Sequence, residues 1–181
     1  VSGLSTRVSD DLRVFGETRA THGAGPQGLS QAFGLDWAAS DRWNYGLKGE
    51  VGVLSDPLAG DLKRHALGVA VGYKFGKIKY SGSIEWRDEK GNLFGSRTTW
   101  LVRNTLGYQA SPEWRLLGKL NWSQSDNSQG AFYDGGFHEI VAAAAWRPVD
   151  NDRWNTLFKY TNLYNLPSPG QIAVSGVVAD Y

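Results

Sequence analysis

The chain has 181 residues, a formal net charge of +1, no cysteine and no methionine. The missing cysteine excludes a disulfide scaffold, a thiolate metal site and a cysteine nucleophile, and the near-neutral charge gives no electrostatic reason to expect a nucleic-acid partner. No stretch approaches the roughly 18 apolar residues of a membrane-spanning helix. The aromatic content is nevertheless high, with eight Trp, eight Tyr and seven Phe. The length suits a single domain covering residues 1–181.

Short polar turns divide the chain into pairs of strands. Four of them place an aromatic residue or Leu, followed by Arg or Asn, after Ser, Asp, Asn, Pro or Glu, and a fifth is centred on a glycine. Ser, Asp, Asn, Pro and Gly favour turns for distinct backbone reasons. Successive turns lie roughly 30 to 40 residues apart, which accommodates two strands of about ten residues and a longer connection. The turns are predicted at residues 9–13, 40–44, 75–77, 111–115 and 151–155.

Longer connections rich in Gly, Ser, Asn, Asp or Pro lie between the short turns. A strict alternation of short and long connections is typical of outer-membrane barrels, which have tight periplasmic turns and longer external loops. A repeat of this size also occurs in solenoids and propellers, but the strand lengths favour the barrel. The long connections are predicted at residues 22–29, 55–64, 88–95, 125–134 and 165–170.

The segments between the turns alternate between apolar and polar residues with a period of two. In residues 77–87, one face carries Ile78, Tyr80, Ile84 and Trp86, whereas the other carries charged residues and Ser. This period predicts β-strands and excludes helices for such segments. The same pattern appears in residues 43–53, 65–75 and 114–122, and it is less regular in 100–108, where Asn104 interrupts the apolar face, and in 137–147 and 172–181.

Aromatic residues concentrate at the two ends of the predicted strands. Indole and phenol rings favour the membrane interface, because one edge is apolar and the other forms hydrogen bonds. Trp114 and Trp122 lie eight residues apart, which is roughly 26 Å along a strand and about 20 Å after a tilt of about 40°, close to the ~25 Å apolar band of membrane barrels. The predicted membrane-interface residues are Trp37, Trp43, Tyr73, Trp86, Trp100, Tyr108, Trp114, Trp122, Trp146 and Trp154.

These patterns predict an all-β, antiparallel, up-and-down transmembrane β-barrel of about ten strands, with short periplasmic turns and longer external loops. Ten strands are predicted from Leu12 onward, and residues 1–8 are expected to be a remnant of a preceding strand or a tail. We expect such a barrel in the bacterial outer membrane, with lipid or detergent around it and the outer-membrane assembly machinery as a partner.

Charged residues on the strands define the predicted lumen. If the apolar faces meet lipid, the opposite faces meet the lumen, and cations outnumber acids there. This predicts a narrow, porin-like pore that prefers anions. The alternative is a membrane anchor whose lumen is plugged by paired charges. The predicted lumen-lining residues are Arg13, Arg19, Lys48, Glu50, Lys74, Lys77, Lys79, Glu85, Arg87, Arg103, Arg115, Lys119 and Lys159.

Two further functions are compatible with the sequence. A soluble β-barrel would turn its apolar face inward and bind a small apolar ligand. A barrel-embedded, lipase-like enzyme would need a Ser-His-acid arrangement, but no nucleophile-elbow motif accompanies His22, His65 or His138. We therefore predict no enzyme. The Asp-containing segments match no calcium-binding loop and the glycines no phosphate-binding loop, so no metal or cofactor is predicted.

One stretch of the chain resembles a known class of proteins. Residues 145–155 read AWRPVDNDRWN, and they continue into LFKY at 157–160 and LPSPG at 166–170. This stretch resembles the C-terminal barrel region of large bacterial outer-membrane and surface repeat proteins, which are mostly uncharacterised. The resemblance implies an outer-membrane barrel that anchors or accompanies a larger exported architecture, with further strands or domains beyond this chain. It carries over no catalytic residue.

Overall fold

The computed structural model describes residues 2–21, 27–56, 60–91, 95–130, 134–150 and 154–166. Over these residues the chain forms ten β-strands and no helix, and so no helix there is long and apolar enough to cross a membrane. The strands form one antiparallel sheet in chain order, which confirms the predicted all-β, up-and-down fold. They are β1 (Ser2–Arg7), β2 (Leu12–Thr21), β3 (Gln27–Trp37), β4 (Trp43–Asp56), β5 (Gly60–Phe75), β6 (Ile78–Gly91), β7 (Gly95–Gln109), β8 (Trp114–Asn127), β9 (Gly135–Trp146) and β10 (Thr156–Leu166).

The sheet has two free edges and is not closed into a barrel. Within the described residues, β1 pairs only with β2, and β10 pairs only with β9. Nine strands begin at or after Leu12, and β1 occupies the region that was expected to be a strand remnant or a tail. The strand predicted at residues 172–181 lies outside the described residues.

The predicted alternation of short and long connections is wrong. Three residues separate β4 from β5, and three separate β6 from β7, although long connections were predicted at 55–64 and 88–95. The strands run further because cross-strand pairing continues through most of these positions. Residues 147–155, in contrast, separate β9 from β10, which is a longer connection than the short turn predicted at 151–155.

The tightest connection joins β5 and β6 through Gly76 and Lys77 alone. Gly76 has a φ of 54°, and no described residue other than glycine has a positive φ. A two-residue hairpin with a positive φ only at its first position fits a type II′ turn, which matches the twist of the flanking strands. We call the side of the sheet on which β5 ends and β6 begins the Gly76 end, and the side at the opposite ends of the strands the far end.

Apolar side chains of successive strands lie on one face of the sheet, which we call the apolar face. Leu47, Val69, Ile84, Val102 and Trp122 form one continuous row of cross-strand partners from β4 to β8. Side chains alternate across a strand, so the charged residues between these positions lie on the opposite face, the polar face. The register thus confirms the segregation of apolar and charged residues that the period of two predicted.

Nothing in the described chain covers the apolar face. Val69 and Ile84, at its centre, are 47% and 45% exposed. The only buried hydrophobic residues among those described are Ala32 and Val141. A water-soluble domain normally buries such a face against a second layer of structure, and the described sheet has no second layer.

The sheet is curved, with the polar face on its concave side. Phe15 of β2 and Arg103 of β7 line the same cavity of about 220 Å³, together with polar-face residues of the strands between them, such as Lys48 and Glu85. In a flat sheet, strands five positions apart lie roughly 24 Å from each other, at about 4.8 Å per strand. Residues on β2 and β7 share a cavity only because the sheet bends around it.

Candidate functional site

Aromatic side chains form a row on the apolar face at the Gly76 end. Trp43 packs against its cross-strand partner Tyr73, with ring centroids 4.5 Å apart. The ring centroids of Trp114 and its partner Trp146 are 6.4 Å apart. Cross-strand aromatic pairs at such distances stabilise the pairing of the strands that carry them.

A second aromatic pair marks the other limit of the apolar surface. Trp86 and Trp100 are cross-strand partners on β6 and β7. In the next row of the same face towards the far end, the partners are His65, Asp88 and Thr98. The apolar surface of β5 to β7 therefore ends at the Trp86–Trp100 pair, and the polar continuation of these strands lies beyond it.

The apolar surface between these limits has the same width on β7 and β8. Trp100 and Tyr108 lie eight residues apart on β7, and Trp114 and Trp122 lie eight residues apart on β8. Eight residues span roughly 26 Å along a strand. We call this surface the apolar band.

The apolar band crosses the strands at an angle. Trp37 is the aromatic residue of β3 at the Gly76 end, and its row of cross-strand partners reaches Leu120 in β8, five strands away. The aromatic residue of β8 at the Gly76 end is Trp114, which lies six residues nearer that end than Leu120. Trp146 of β9 is in the row of Trp114. The band thus shifts by about one residue per strand, which corresponds to a tilt of roughly 35 to 40° at about 3.3 Å per residue and about 4.8 Å per strand.

Asn104 interrupts the apolar band but is not unpartnered. The Tyr80 hydroxyl donates a hydrogen bond to Asn104 Oδ1 over 2.6 Å. Gly82 makes this contact possible, because a Cβ at that position would overlap the Tyr80 hydroxyl. A polar side chain in an apolar environment costs much less when its hydrogen bonds are made. The period of two alone could not reveal this pair.

The predicted interface residues can be located on the sheet, and their position at a membrane interface stays a prediction. All except one lie in strands and on the apolar face, as their cross-strand partners show. The exception is Trp154, which precedes β10, lies outside the strands and is exposed.

At the far end of the polar face, three charged residues form a buried cluster across three strands. Arg64, Glu89 and Arg97 are cross-strand partners in one row of β5, β6 and β7. Arg64 Nη2 lies 2.7 Å from Glu89 Oε1, and Arg97 Nε donates to Glu89 Oε2 over 3.0 Å. Glu89 is only 2% exposed. We call this group the Arg–Glu–Arg cluster.

The two arginines determine the ionisation of Glu89. Burial alone would raise the pKa of Glu89, but the hydrogen bond from Arg97 and the charges of Arg97 and Arg64 outweigh it, so the pKa is lower than that of an ordinary glutamate. The cluster therefore holds a carboxylate between two cations at neutral pH. It lies beyond the apolar band, in the extended parts of β5 to β7.

Other far-end and central charges of the polar face are also paired, mostly along a single strand. A Glu and a cation two positions apart share one face, because side chains alternate. The Arg19–Glu17 and Arg87–Glu85 pairs have N–O distances of 2.7 Å, Lys48–Glu50 has one of 3.9 Å, and Lys119 lies 2.9 Å from Glu139 on the neighbouring strand.

The cations near the Gly76 end of the polar face form no ion pair among the described residues. Lys74 and Lys79 are direct cross-strand partners, so two like charges face each other. Arg115 and Lys159 lie on the same face of β8 and β10. On β5, β6, β8 and β10 the strand positions of this part of the polar face carry cations without acids, whereas on β3 Asp36 faces Arg13 of β2. We call Lys74, Lys79, Arg115 and Lys159 the cationic belt.

The predicted lumen-lining residues lie on the polar face, except Lys77. It lies in the Gly76 turn, where its Nζ donates to the Ala110 carbonyl over 3.1 Å. Arg64 and Glu89 also belong to the polar face but were not predicted to, because they fell in segments assigned to loops. A signal was present in the sequence: Glu85, Arg87 and Glu89 continue the alternation of charged residues on one face of β6.

The two described histidines, His65 and His138, are not joined to a catalytic partner among the described residues. His65 and His138 lie on the apolar face, and no hydrogen bond joins either to a serine or a carboxylate among the described residues. His138 Nε2 lies 3.2 Å from Asn162 Oδ1, and its ring stacks on Tyr164. His22 is outside the described residues. In the described parts of the chain, no three His, Asp or Glu side chains are grouped to hold a metal ion.

Comparison with protein-family models and with curated proteins gives no match for this chain.

Proposed function

We propose that this chain forms a transmembrane β-barrel of the bacterial outer membrane, whose polar face surrounds a narrow pore that prefers anions. The observation that carries the proposal is the uncovered apolar band, which an aromatic row bounds at the Gly76 end and Trp86, Trp100 and Trp122 bound on the other side. Its width of roughly 26 Å along the strands corresponds to about 20 Å across the membrane at a tilt of roughly 35 to 40°, close to the ~25 Å apolar girdle and to the strand tilt of such barrels. Because lipid leaves no strand edge unpaired, the free edges of β1 and β10 would pair with each other or with further strands.

The curvature of the sheet favours a membrane barrel over a soluble one. A soluble barrel that binds an apolar ligand places its apolar residues on the concave side. Here Lys48, Glu85 and Arg103 belong to the face on the concave side, and Val69 and Ile84 of the apolar row, which also border the cavity, remain 47% and 45% exposed. This orientation suits an apolar solvent outside and water inside.

The cationic belt supports anion preference. Its four cations have no ion-pair partner among the described residues, whereas the charges near the far end largely neutralise one another. Rings of Lys and Arg favour anions in pores, because uncompensated positive charge lowers the energy of an anion in the passage.

The first experiment is gel mobility in SDS, with and without boiling, after the chain is refolded in detergent micelles. A compact band that shifts on boiling is the expected result, since closed membrane barrels resist SDS until they are heated. A monomer that dissolves in plain buffer and shows no shift would contradict the membrane proposal and favour the soluble barrel.

A matched pair of variants sharpens this experiment. Leu120 lies in the apolar band of β8, and Ser123 lies on the polar face of the same strand. In a membrane barrel, Leu120→Lys costs about 1 to 3 kcal/mol, because Leu120 lies between the centre and the limit of the band, whereas Ser123→Lys is tolerated. Urea midpoints in lipid vesicles measure the difference. Equal tolerance of both substitutions would place the apolar face in water.

Selectivity is tested by the reversal potential in a planar bilayer under a potassium chloride gradient. The wild-type pore is expected to prefer chloride, and Lys74→Glu combined with Lys79→Glu is expected to shift the preference towards potassium. Lys90→Glu is the control, because Lys90 lies on the apolar face beyond the band. Cation preference in the wild type would contradict the anion pore. A heat-dependent band without conductance would favour a membrane anchor with a plugged lumen.

A further inference from the structure

We infer that the polar face contains a binding site for a phosphate-bearing anion, centred on Arg103. The inference rests on the proposed pore and specifies one class of solute. The site is an open cavity of about 450 Å³ on the concave side of β4 to β8. This volume falls within the range of roughly 300 to 1,000 Å³ that is usual for small-molecule sites.

Arg103 supplies a guanidinium that no described carboxylate contacts, although Asp36 and Glu85 line the adjacent cavity of about 220 Å³ together with it. Its cross-strand partners are Ser83 and Asn121, and it forms no ion pair among the described residues. Arg87 and Arg64 on the same face are, in contrast, bound to glutamates at 2.7 Å. A guanidinium with free donors binds phosphate or carboxylate through two parallel hydrogen bonds.

A second cation lies in the same cavity and is held in place. Lys119 Nζ is 2.9 Å from Glu139 Oε2, and Asn121 Nδ2 donates to the same oxygen over 2.8 Å. Both Lys119 and Asn121 line the cavity. The ammonium group has three donors, so two remain for a ligand, and Glu139 fixes its position.

Hydroxyl groups complete the lining. Ser81, Ser83 and Thr105 line the cavity, and none of their hydroxyls hydrogen-bonds to another side chain among the described residues. The base of the cavity is Gly72, where a Cβ would overlap the amide of Asn44. The cavity therefore presents several neutral donors around one free guanidinium, which suits the oxygens of a phosphate group better than a halide ion.

The cationic belt lies next to this cavity. Lys74 is two residues from Gly72 on β5, and Lys79 is two residues from Ser81 on β6, on the same face. Uncompensated cations raise the local concentration of anions. The belt would thus attract an anion that Arg103 then binds.

The inference is tested by titrating the detergent-refolded protein with sodium phosphate and with glycerol phosphate at constant ionic strength. Calorimetry and phosphorus NMR measure the binding. Saturable binding is expected for the wild type. Arg103→Gln should weaken it about tenfold or more, because a charge-assisted contact is lost, and Arg103→Lys should restore part of it. Tighter binding of glycerol phosphate would identify an ester as the ligand, and equal binding would identify the free anion.

Arg19→Gln is the matched control, since it removes the same charge from the polar face of β2, outside the cavity. Absence of saturable binding, or equal weakening in Arg103→Gln and Arg19→Gln, would overturn the inference. The gel-mobility experiment reports on the barrel separately. A band that shifts on boiling, without phosphate binding, would support the barrel and contradict the phosphate site. Phosphate binding that depends on Arg103, without a shift of the band, would support the site and contradict the barrel.

Discussion

The two ends of the polar face carry similar numbers of cations but differ in whether these cations form ion pairs. At the far end, Arg64 and Arg97 share the buried Glu89, and the glutamates of the neighbouring rows bind cations on their own strands. At the Gly76 end, Lys74 faces Lys79 directly and no acid lies beside them on β5 or β6, whereas Asp36 of β3 faces Arg13. Both ends belong to the same strands and the same alternation.

The comparison shows that alternation determines the face of a charge but not its energetic role. Charges that meet an acid in the cross-strand register or along their strand hold the sheet together. Cations that have no acid beside them produce a positive electrostatic potential on the concave side of the sheet. A formal net charge of +1 for the whole chain conceals this division, because acids and bases are distributed unevenly between the ends.

The largest expected effect comes from removing the acid of the far end. Glu89→Gln leaves Arg64 and Arg97 without their shared carboxylate, and breaking a buried ion pair typically costs about 3 to 5 kcal/mol. The arginine side chains are 29% and 21% exposed, so water compensates in part and we expect a loss of about 2 to 3 kcal/mol. Urea unfolding in micelles measures it. Glu17→Gln, which breaks an exposed pair, should change the midpoint much less.

Lowering the pH should reduce the difference in stability between the wild type and Glu89→Gln. The pKa of Glu89 is lowered by folding, so its contribution is complete above the ordinary glutamate pKa of about 4.3 and is lost as the pH falls through the lowered value. The gap in unfolding free energy between the wild type and Glu89→Gln should therefore narrow as the pH is lowered from 7 into the acid range. Urea midpoints across this range test the effect, and a gap that widens would contradict the assignment.

A neutral pair near the Gly76 end should behave differently. Tyr80→Phe removes the donor to Asn104 and is expected to cost about 1 kcal/mol. The cost should depend on neither acid nor salt, because both partners are uncharged. Replacing Asn104 by Leu as well removes the orphaned acceptor, so the double variant should recover most of the loss in a double-mutant cycle. Strictly additive losses would mean that the two side chains do not interact.

The smallest effect is a gain at the Gly76 end. Lys79→Glu turns a pair of facing like charges into an opposite pair with Lys74, which should stabilise the sheet by roughly 0.5 kcal/mol. The gain should disappear in 1 M salt, where the screening length is only about 3 Å. A destabilisation at low salt would show that the two lysines do not face each other.

The faces of the strands could be predicted from the sequence because they depend on local alternation. The period of two along each strand predicts that Trp86, Tyr108 and Trp122 lie on the apolar face. The ends of the strands could not be predicted in this way. Residues 55–64 and 88–95 contain Gly, Pro and charged residues typical of loops, yet most of them pair, and the Arg–Glu–Arg cluster joins residues from three separate strands.

The candidate site was predicted only in part for the same reason. The polar-face cations, including Arg103 and Lys119, were identifiable by parity alone. Which of them have partners depends on register: Ser83 rather than a glutamate faces Arg103, whereas Glu89 faces both Arg64 and Arg97. A shift of one residue between strands would exchange the two faces. Pairing of charges is therefore a property of the assembled sheet.

The tight Gly76 turn has a consequence for the order of folding. It joins two of the longest strands, and the neighbouring pairs β4–β5 and β6–β7 are each separated by only three residues. Hairpins with short loops form in roughly 1 to 10 μs, and the entropy lost on closing a loop grows with its length. We expect β4 to β7 to assemble first and the outer strands to add in turn. If β1 and β10 pair with each other, as one form of the proposed barrel requires, that pairing would come last and would set the rate of the whole process, because it brings together distant parts of the chain.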